Sequence, residues 1–163
     1  MNLTEAGAGS DLAATASKAF PTDTPGVYKI KGNKIFITSG DGDLWENIIH
    51  LVLARIEGAR EGTAGISLFA VPKHRFDKDG NITEWNDVTT VGIEHKMGLH
   101  GSATCSLAYG ENNDCYGYLL GAPPNEKGIA SGLSQMFMLM NESRLSTGLM
   151  ALSVTEQAYY NAR

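Results

Sequence analysis

The chain has 163 residues, with 13 lysines and arginines against 18 aspartates and glutamates, so its formal net charge is −5 at pH 7. A composition of 42% hydrophobic and 19% charged residues is typical of a folded domain with a real core and excludes a disordered chain. The acidic balance argues against a nucleic-acid binder, and no apolar run approaches the roughly 20 residues of a membrane span.

In chain order, an irregular glycine-rich segment at residues 1–11 precedes a β-rich region. Alternating apolar and polar residues predict strands at 27–31 and 34–38, joined as a hairpin by a Gly32-Asn33 turn. Further strands are predicted at 48–56, 65–71, 88–93, 104–109 and 116–120, with a loop at 74–80. Short strands between turn signals favour a mainly β fold, an antiparallel barrel or sandwich.

The pattern changes after Pro123-Pro124. Apolar residues at three-or-four spacing predict one long amphipathic α-helix from about Lys127 to the end, with an apolar face that packs against other helices. Neither end of the chain carries the start or stop signal of a complete domain. We therefore expect a piece excised from a longer protein.

Two segments have residue types suited to a ligand. In the first, Leu3-Thr4-Glu5-Ala6-Gly7-Ala8-Gly9-Ser10-Asp11, glycines allow close approach, and hydroxyls and free N–H groups suit carbonyl, imide or phosphate oxygens. It is neither a P-loop nor a complete dinucleotide fingerprint, and an ordinary turn remains the alternative.

In the second segment, Phe36 and Thr38 lie on one side of a strand. A flat heterocycle could pack on the ring while the hydroxyl bonds its edge. The alternative is a core aromatic beside an exposed threonine.

Arg144 lies among apolar neighbours of the helix, and Glu142, two residues away, points to a different helix face. The arginine charge is therefore expected to need an acidic residue of another element or an anionic ligand. Glu94, His95 and His100 lack the spacing and the fourth ligand of a metal site and indicate a polar loop instead.

Two cysteines are too few for a disulfide scaffold, so Cys105 and Cys115 are predicted to be free thiols in a reducing cytoplasm. No carboxylate is singled out as catalytic, because Glu5, Glu94 and Glu142 each have an equally good structural interpretation.

The order of the motifs resembles the acyl-CoA dehydrogenase family. The resemblance rests on four motifs. The first two are Leu-Thr-Glu-x-x-Ala-Gly-Ser-Asp and G-x-K-x-(aromatic)-I-T-S/N-G. The third is KMGLHGSAT at 96–104, and the fourth is the segment 117–128 that leads into the helix with Asn141 and Arg144. The stretches GIEHKMGLHGSATC and MFMLMNESRL are most similar to the long subfamily that includes the methylthiopropanoyl-CoA dehydrogenases. The resemblance implies a middle β-barrel domain over residues 1–122, and a linker and the first helix of a truncated C-terminal helical domain over 123–163.

The resemblance further implies a parent enzyme that uses FAD to oxidise an acyl-CoA thioester to the 2,3-enoyl-CoA. Its cofactor-binding residues would be Leu3, Thr4, Ser10, Phe36, Ile37 and Thr38, and its substrate-binding residues Ser10, Asn141 and Arg144. Leu3 and Thr4 would bond the flavin ring, Phe36 would stack near it, and Thr38 would lie close to the hydride-accepting nitrogen. Ser10 would lie beside the flavin phosphate or the CoA chain, and Asn141 and Arg144 would meet the CoA end.

This assignment requires the opening segment and the Phe36/Thr38 edge to converge into one wall of a flat slot. The sequence departs from the family pattern in two places: Ala6 stands where proline is common, and Phe36 where tryptophan is frequent. The family's catalytic glutamate lies in a part beyond Arg163, so no catalytic residue is expected here and the fragment is expected to be inactive alone.

The implied partners are an acyl-CoA substrate and, for the parent, an electron-transfer flavoprotein, with homo-oligomerisation, a cytoplasmic location and no metal. Two alternatives stay open. One is a stand-alone β-sandwich binding module without catalysis, and the other is an acyl-CoA oxidase-like relative that shares these motifs. If the helix has no partner helices, its apolar face is expected to cause self-association.

Overall fold

Nine strands precede one long helix, and the computed structural model describes all of residues 1–163. The strands are β1 (Lys18–Pro21), β2 (Val27–Thr38), β3 (Ile49–Ile56), β4 (Ile66–Pro72), β5 (His74–Phe76), β6 (Ile82–Trp85), β7 (Val88–Ile93), β8 (Thr104–Tyr109) and β9 (Tyr116–Leu120). The helix is α1 (Gly132–Ala162), and two short 3-10 turns lie at Leu12–Ala14 and Thr63–Gly65.

Five of the strands close into a small barrel. Their order is β1-β3-β4-β9-β2, and β1 pairs in parallel with β3 and antiparallel with β2, which completes the ring. Beyond the ring, β8 pairs with the second half of β2 and β7 pairs with β8, while β5 and β6 form a separate hairpin. Closure pairs the edges that an open sheet would expose. The predicted mainly β fold followed by one helix is confirmed.

The core has two parts because β3 and β4 are covered on both faces. Successive side chains of a strand point to opposite faces, so Val52 joins the cluster of 13 buried residues inside the barrel, whereas Leu53 points outward. Outside the barrel, Leu53, Ile66 and Leu68 form a second cluster with Met136 of α1. The helix therefore docks on the outer face of β3 and β4.

The predicted hairpin at Gly32-Asn33 is wrong, because β2 runs unbroken through both residues. Gly32 has an extended backbone (φ 159°) and pairs with Tyr109 of β8. Glycine stands there because Ser17 crosses so closely that an added Cβ would lie 2.2 Å from its hydroxyl oxygen. The glycine signal reflects a close approach of two segments rather than a turn.

The structure differs from the sequence prediction in two further respects, the number of strands and the start of the helix. Strands β1, β5 and β6 were not predicted, and β5 occupies part of the expected loop at 74–80. The helix begins at Gly132 instead of near Lys127, because residues 125–129 form a turn in which the Asn125 side-chain oxygen accepts from the N–H groups of Lys127 and Ile129, both at 3.0 Å. These bonds satisfy the backbone in a non-helical conformation.

Only the first turns of α1 contact the barrel. Gly132 and Met136 are buried and Leu133 and Met140 pack on the second cluster, whereas every residue from 141 onward is exposed. The apolar residues of α1 do not form one stripe, since Phe137, Met138 and Leu139 are consecutive and all exposed. No helix in the chain has the length and apolar character needed to cross a membrane.

Candidate functional site

The opening segment fills the gap between β3 and the second half of β2. Its backbone pairs with β3, where Asn2 N donates to Leu51 O at 2.7 Å and Leu53 N donates to Asn2 O at 3.3 Å. It pairs with β2 through Ile35 N, which donates to Thr4 O at 2.9 Å. Thr4 thus lies beside the residue that precedes Phe36, and the two segments expected to form one wall converge.

A tight loop follows at residues 5–9. Glu5 and Gly9 form a two-residue bridge in which Gly9 N donates to Glu5 O at 2.7 Å and Glu5 N donates to Gly9 O at 3.2 Å. Gly9 has a φ of 59°, a left-handed conformation that glycine adopts without steric cost. Ser10 follows it on the exposed surface, and Asp11 then caps the 3-10 turn by accepting from Ala13 N at 3.0 Å.

A buried ion pair attaches this loop to the barrel. The Lys34 ammonium, completely buried, lies 2.7 Å from Oε1 of Glu5, which is 6% exposed. The Glu5 carboxylate also accepts from Ser17 Oγ at 2.7 Å, Ser17 N at 3.2 Å and Ala16 N at 2.7 Å. Lys34 Nζ makes a second bond, to Leu3 O at 3.2 Å. One charged pair therefore joins three separate stretches of chain.

The pair is charged at neutral pH. Burial raises the pKa of the Glu5 carboxyl, but the bonds from Lys34, Ser17 and Ala16 outweigh burial and hold that pKa below its ordinary value of 4.5. Burial lowers the pKa of Lys34 more than its bond to Glu5 raises it. Both pKa values are lowered, which favours the charged form of Glu5 but disfavours the charged form of Lys34, the more deeply buried partner. The contact of 2.7 Å with a carboxylate that is itself held by three further hydrogen bonds favours the ammonium form of Lys34.

Phe36 and Thr38 lie on the outward face of β2, one on each side of the buried Ile37. A bulge between Lys34 and Ile37 inserts one extra residue opposite β8, and Phe36 adopts a φ of 59° within it. The Phe36 ring is 58% exposed, so the interpretation as a core aromatic is wrong. Thr38 is exposed, whereas the Ile37 side chain lies in the core, so any ligand contact of Ile37 would have to come from its backbone.

Hydrogen-bond donors without an acceptor lie in the opening segment, beside the Phe36/Thr38 edge. The N–H groups of Leu3 and Thr4 and the Thr4 hydroxyl donate to no acceptor within the chain, although both residues are partly buried. Donors of this kind beside an exposed aromatic ring suit a flat ligand that presents carbonyl or imide oxygens at its edge.

The two helix residues singled out from the sequence, Asn141 and Arg144, are exposed. Asn141 directly follows Met140, which packs on the second cluster together with Leu3, so this part of α1 and the opening segment lie on the same side of the barrel. The Arg144 guanidinium lies 5.6 Å from the centre of the Phe137 ring and forms no ion pair with an acidic side chain of the chain. Its charge is thus available to an external anion.

The loop at 94–103 is exposed at both histidines, and Lys96 Nζ donates to Ser102 O at 2.5 Å. No three His, Cys, Asp or Glu side chains lie together in a way that could hold a metal ion.

Cys105 and Cys115 are buried and unpaired, and burial raises the pKa of the Cys115 thiol to about 12. A thiol with so high a pKa is unreactive.

Sequence reasoning missed the Glu5–Lys34 pair. Lys34 is four residues from Ile30 and therefore on the same inward face of one continuous strand. The even spacing of Ile30 and Lys34 predicts that both face inward if the strand is continuous. The predicted turn at Gly32 divided the strand, so this inward position of Lys34 was not recognised.

Comparison with known proteins gives concordant matches. The family described as acyl-CoA dehydrogenase, middle domain, matches residues 1–111. A butyryl-CoA dehydrogenase of Syntrophomonas wolfei is 57% identical over 99% of this chain and 26% of its own length. A 3-methylmercaptopropionyl-CoA dehydrogenase of Ruegeria pomeroyi is 43% identical over the same shares.

Among solved structures, an acyl-CoA dehydrogenase from Bacillus anthracis complexed with FAD superposes with a TM-score of 0.51 at 28% identity, over 74% of this chain and 17% of its own. The chain spans about a quarter of the length of the curated relatives it matches.

Proposed function

The chain belongs to the acyl-CoA dehydrogenase family, and from this premise we propose that it is the section of a longer dehydrogenase that holds FAD and the acyl-CoA thioester during oxidation to the 2,3-enoyl-CoA. The observation that carries the proposal is the convergence of the opening segment with the Phe36/Thr38 edge, joined by the bond from Ile35 N to Thr4 O at 2.9 Å.

The residues of this wall fit a flavin. The free N–H groups of Leu3 and Thr4 and the Thr4 hydroxyl suit the oxygens of the pyrimidine ring, and the exposed Phe36 ring offers a flat apolar face. Thr38 would donate near the hydride-accepting nitrogen, and Ser10, at the end of the loop, would meet a phosphate or the CoA chain. When bound, FAD supplies the hydride acceptor, and the chain supplies position and exclusion of water.

Asn141 and Arg144 would bind the CoA end of the substrate. Arg144 is a permanent cation without an acidic partner in the chain, and CoA carries anionic phosphates. Glu5 is a poor candidate for the proton-abstracting base, because four hydrogen bonds already occupy its carboxylate. As the family resemblance implies, the base would belong to another part of the longer protein.

The remaining assignments are proposals of the same kind. Residues 1–122 would be the middle domain and 123–163 the linker and first helix of the C-terminal domain, in a homo-oligomer that passes electrons to an electron-transfer flavoprotein. The free thiols of Cys105 and Cys115 agree with a reducing cytoplasm.

For the substrate, which the motifs leave open, identity of 57% to a butyryl-CoA dehydrogenase against 43% to a 3-methylmercaptopropionyl-CoA dehydrogenase favours a short straight acyl chain over a sulfur-containing one.

The test uses the full-length protein encoded by the gene that contains this sequence. We expect a yellow preparation with bound FAD that is bleached by butyryl-CoA under anaerobic conditions. Reoxidation by an electron-transfer flavoprotein, but not by oxygen, would separate a dehydrogenase from an oxidase. A colourless protein that takes up no FAD would overturn the proposal.

A matched pair of variants tests the wall itself. Phe36→Ala is expected to raise the Kd for FAD about tenfold, since aromatic stacking contributes about 0.5–1.5 kcal/mol beyond burial. Phe76→Ala, which removes a 39% exposed ring on β5, is the control and is expected to leave the Kd unchanged. Equal Kd values for the two variants would contradict the placement of the flavin against Phe36.

A further inference from the structure

The peptide that joins Leu3 to Thr4 is held from one side by β2. Its carbonyl oxygen, that of Leu3, accepts from Lys34 Nζ at 3.2 Å, and the next carbonyl, that of Thr4, accepts from Ile35 N at 2.9 Å. The chain contains no cis peptide bonds, and in a trans peptide the C=O and the following N–H point in opposite directions. Because the Leu3 carbonyl faces the buried ammonium, the Thr4 N–H faces away from it.

The ammonium also changes the strength of that donor. A cation bonded to a carbonyl polarises the whole peptide group, and hydrogen bonds in such a chain strengthen one another. Lys34 is completely buried, so water screens this effect little. Glu5 holds the ammonium in place and is itself held by Ser17 and by Ala16 N.

We propose that Lys34 is a positioning residue for the cofactor: anchored by Glu5, it orients and polarises the Leu3–Thr4 peptide so that Thr4 N–H is a preorganised donor to an electron-rich edge of the flavin. The inference rests on the proposed function. Lys34 itself touches no ligand and acts through the backbone of the opening segment.

A purely structural role for Lys34 makes a different prediction. Removing one partner of a buried ion pair destabilises a protein strongly because it leaves a buried charge without a partner, whereas replacing both partners with uncharged residues of similar volume leaves no such charge. If Lys34 only supports folding, the double replacement restores every property. If Lys34 positions the peptide, the double replacement recovers stability relative to Lys34→Met but leaves the Leu3 carbonyl without its donor.

The experiment compares Lys34→Met with the double variant Glu5→Gln/Lys34→Met in the full-length protein. Methionine keeps most of the lysine stem, and glutamine keeps the shape of Glu5 and an acceptor for Ser17. For each apoprotein, the Kd for FAD is measured by quenching of flavin fluorescence, and stability by thermal unfolding without FAD. Arg75→Met is the control, since it breaks the ion pairs to Glu84 and Asp114, which share no contact with the opening segment.

We expect the double variant to have a higher Tm than Lys34→Met, because it leaves no buried charge without a partner, while its Kd for FAD stays raised roughly tenfold, the loss of about one well-aligned hydrogen bond. Arg75→Met should lower the Tm without changing the Kd. A double variant whose Kd for FAD equals that of the wild type overturns the inference. If Lys34→Met does not fold, the double variant carries the test alone.

The result separates this inference from the proposed function. A wild-type protein that binds no FAD defeats the proposed function. A wild-type protein that binds FAD, with a double variant that binds it equally well, defeats only the role of Lys34.

Discussion

Buried polar side chains tie distant parts of this chain together. The Asn2 side chain donates to the Tyr109 hydroxyl, and the His50 ring meets the Tyr109 ring edge-on at a centroid distance of 5.9 Å. Asn86, fully buried, donates to Pro72 O at 2.7 Å and Tyr116 O at 2.8 Å and accepts from Tyr116 N. Such groups cost free energy when buried unless they are paired, so each pairing specifies which segments meet.

At this scale the folded state should be acid-sensitive through His50. Burial lowers the pKa of His50 from 6.5 to about 4. Between these pH values the folded protein binds fewer protons at His50 than the unfolded chain does. The contribution of His50 to the free energy of unfolding is therefore complete above pH 6.5 and is lost as the pH falls towards about 4. Glu5, whose pKa is also lowered, acts in the same direction below its ordinary value of 4.5.

We expect the free energy of unfolding to fall by roughly 2 kcal/mol more between pH 7 and pH 5 in the wild type than in His50→Phe, measured by urea titration at both pH values. Phenylalanine keeps the aromatic contact with Tyr109 and removes the titrating group. The same pH slope in both proteins would show that His50 is not the source of the sensitivity.

Among the elements, α1 docks on the barrel through a short stretch of close contact. Gln135 Nε2 donates to Leu120 O at 2.8 Å, and Gly132 lies directly against β4. A Cβ on Gly132 would come within 2.5 Å of Ile66 O and 2.6 Å of the carbonyl carbon of Ser67. Since both obstacles are backbone atoms of β4 and their residues are paired with β3, they cannot move aside cheaply, and the position of the helix depends on this glycine.

Two glycines of the same helix provide a matched test of this docking. Gly132→Ala is expected to lower the free energy of unfolding by about 1–3 kcal/mol, the usual cost of overpacking. Gly148→Ala has open space around its Cβ and is expected to raise it by about 0.5–1 kcal/mol through helix propensity. Thermal unfolding of both variants checks the difference, and a Gly132→Ala protein as stable as Gly148→Ala would contradict the close docking.

For the whole molecule, the dominant feature is a helix whose apolar side chains have no cover in this chain. Leu145, Leu149 and Leu152 are 69%, 56% and 62% exposed. A helix that is apolar around much of its circumference is normally surrounded by protein, and contiguous apolar surface of this extent promotes association.

This chain is therefore expected to self-associate through α1. Light scattering over a range of concentrations should show a mass above that of the monomer, and the double variant Leu145→Glu/Leu152→Glu should lower it. Ile82→Glu, which places one such charge on the exposed strand β6, is the control and should leave the mass unchanged. A chain that stays monomeric at high concentration would refute the expectation.

The sequence by itself determined what depends on local order. Apolar alternation located six of the nine strands, spacing after Pro123-Pro124 located the helix, and the motifs at residues 3–11 and 34–40 marked the segments that converge. Only the tertiary structure decided the path of β2, the closure of the barrel by β1, and the burial of Lys34 against Glu5, 29 residues earlier in the chain. The physical reason is range: alternation and turn preference act between neighbours. Whether Gly32 bends the chain or admits Ser17, and whether Lys34 faces water or a carboxylate, depends on segments that meet only after folding.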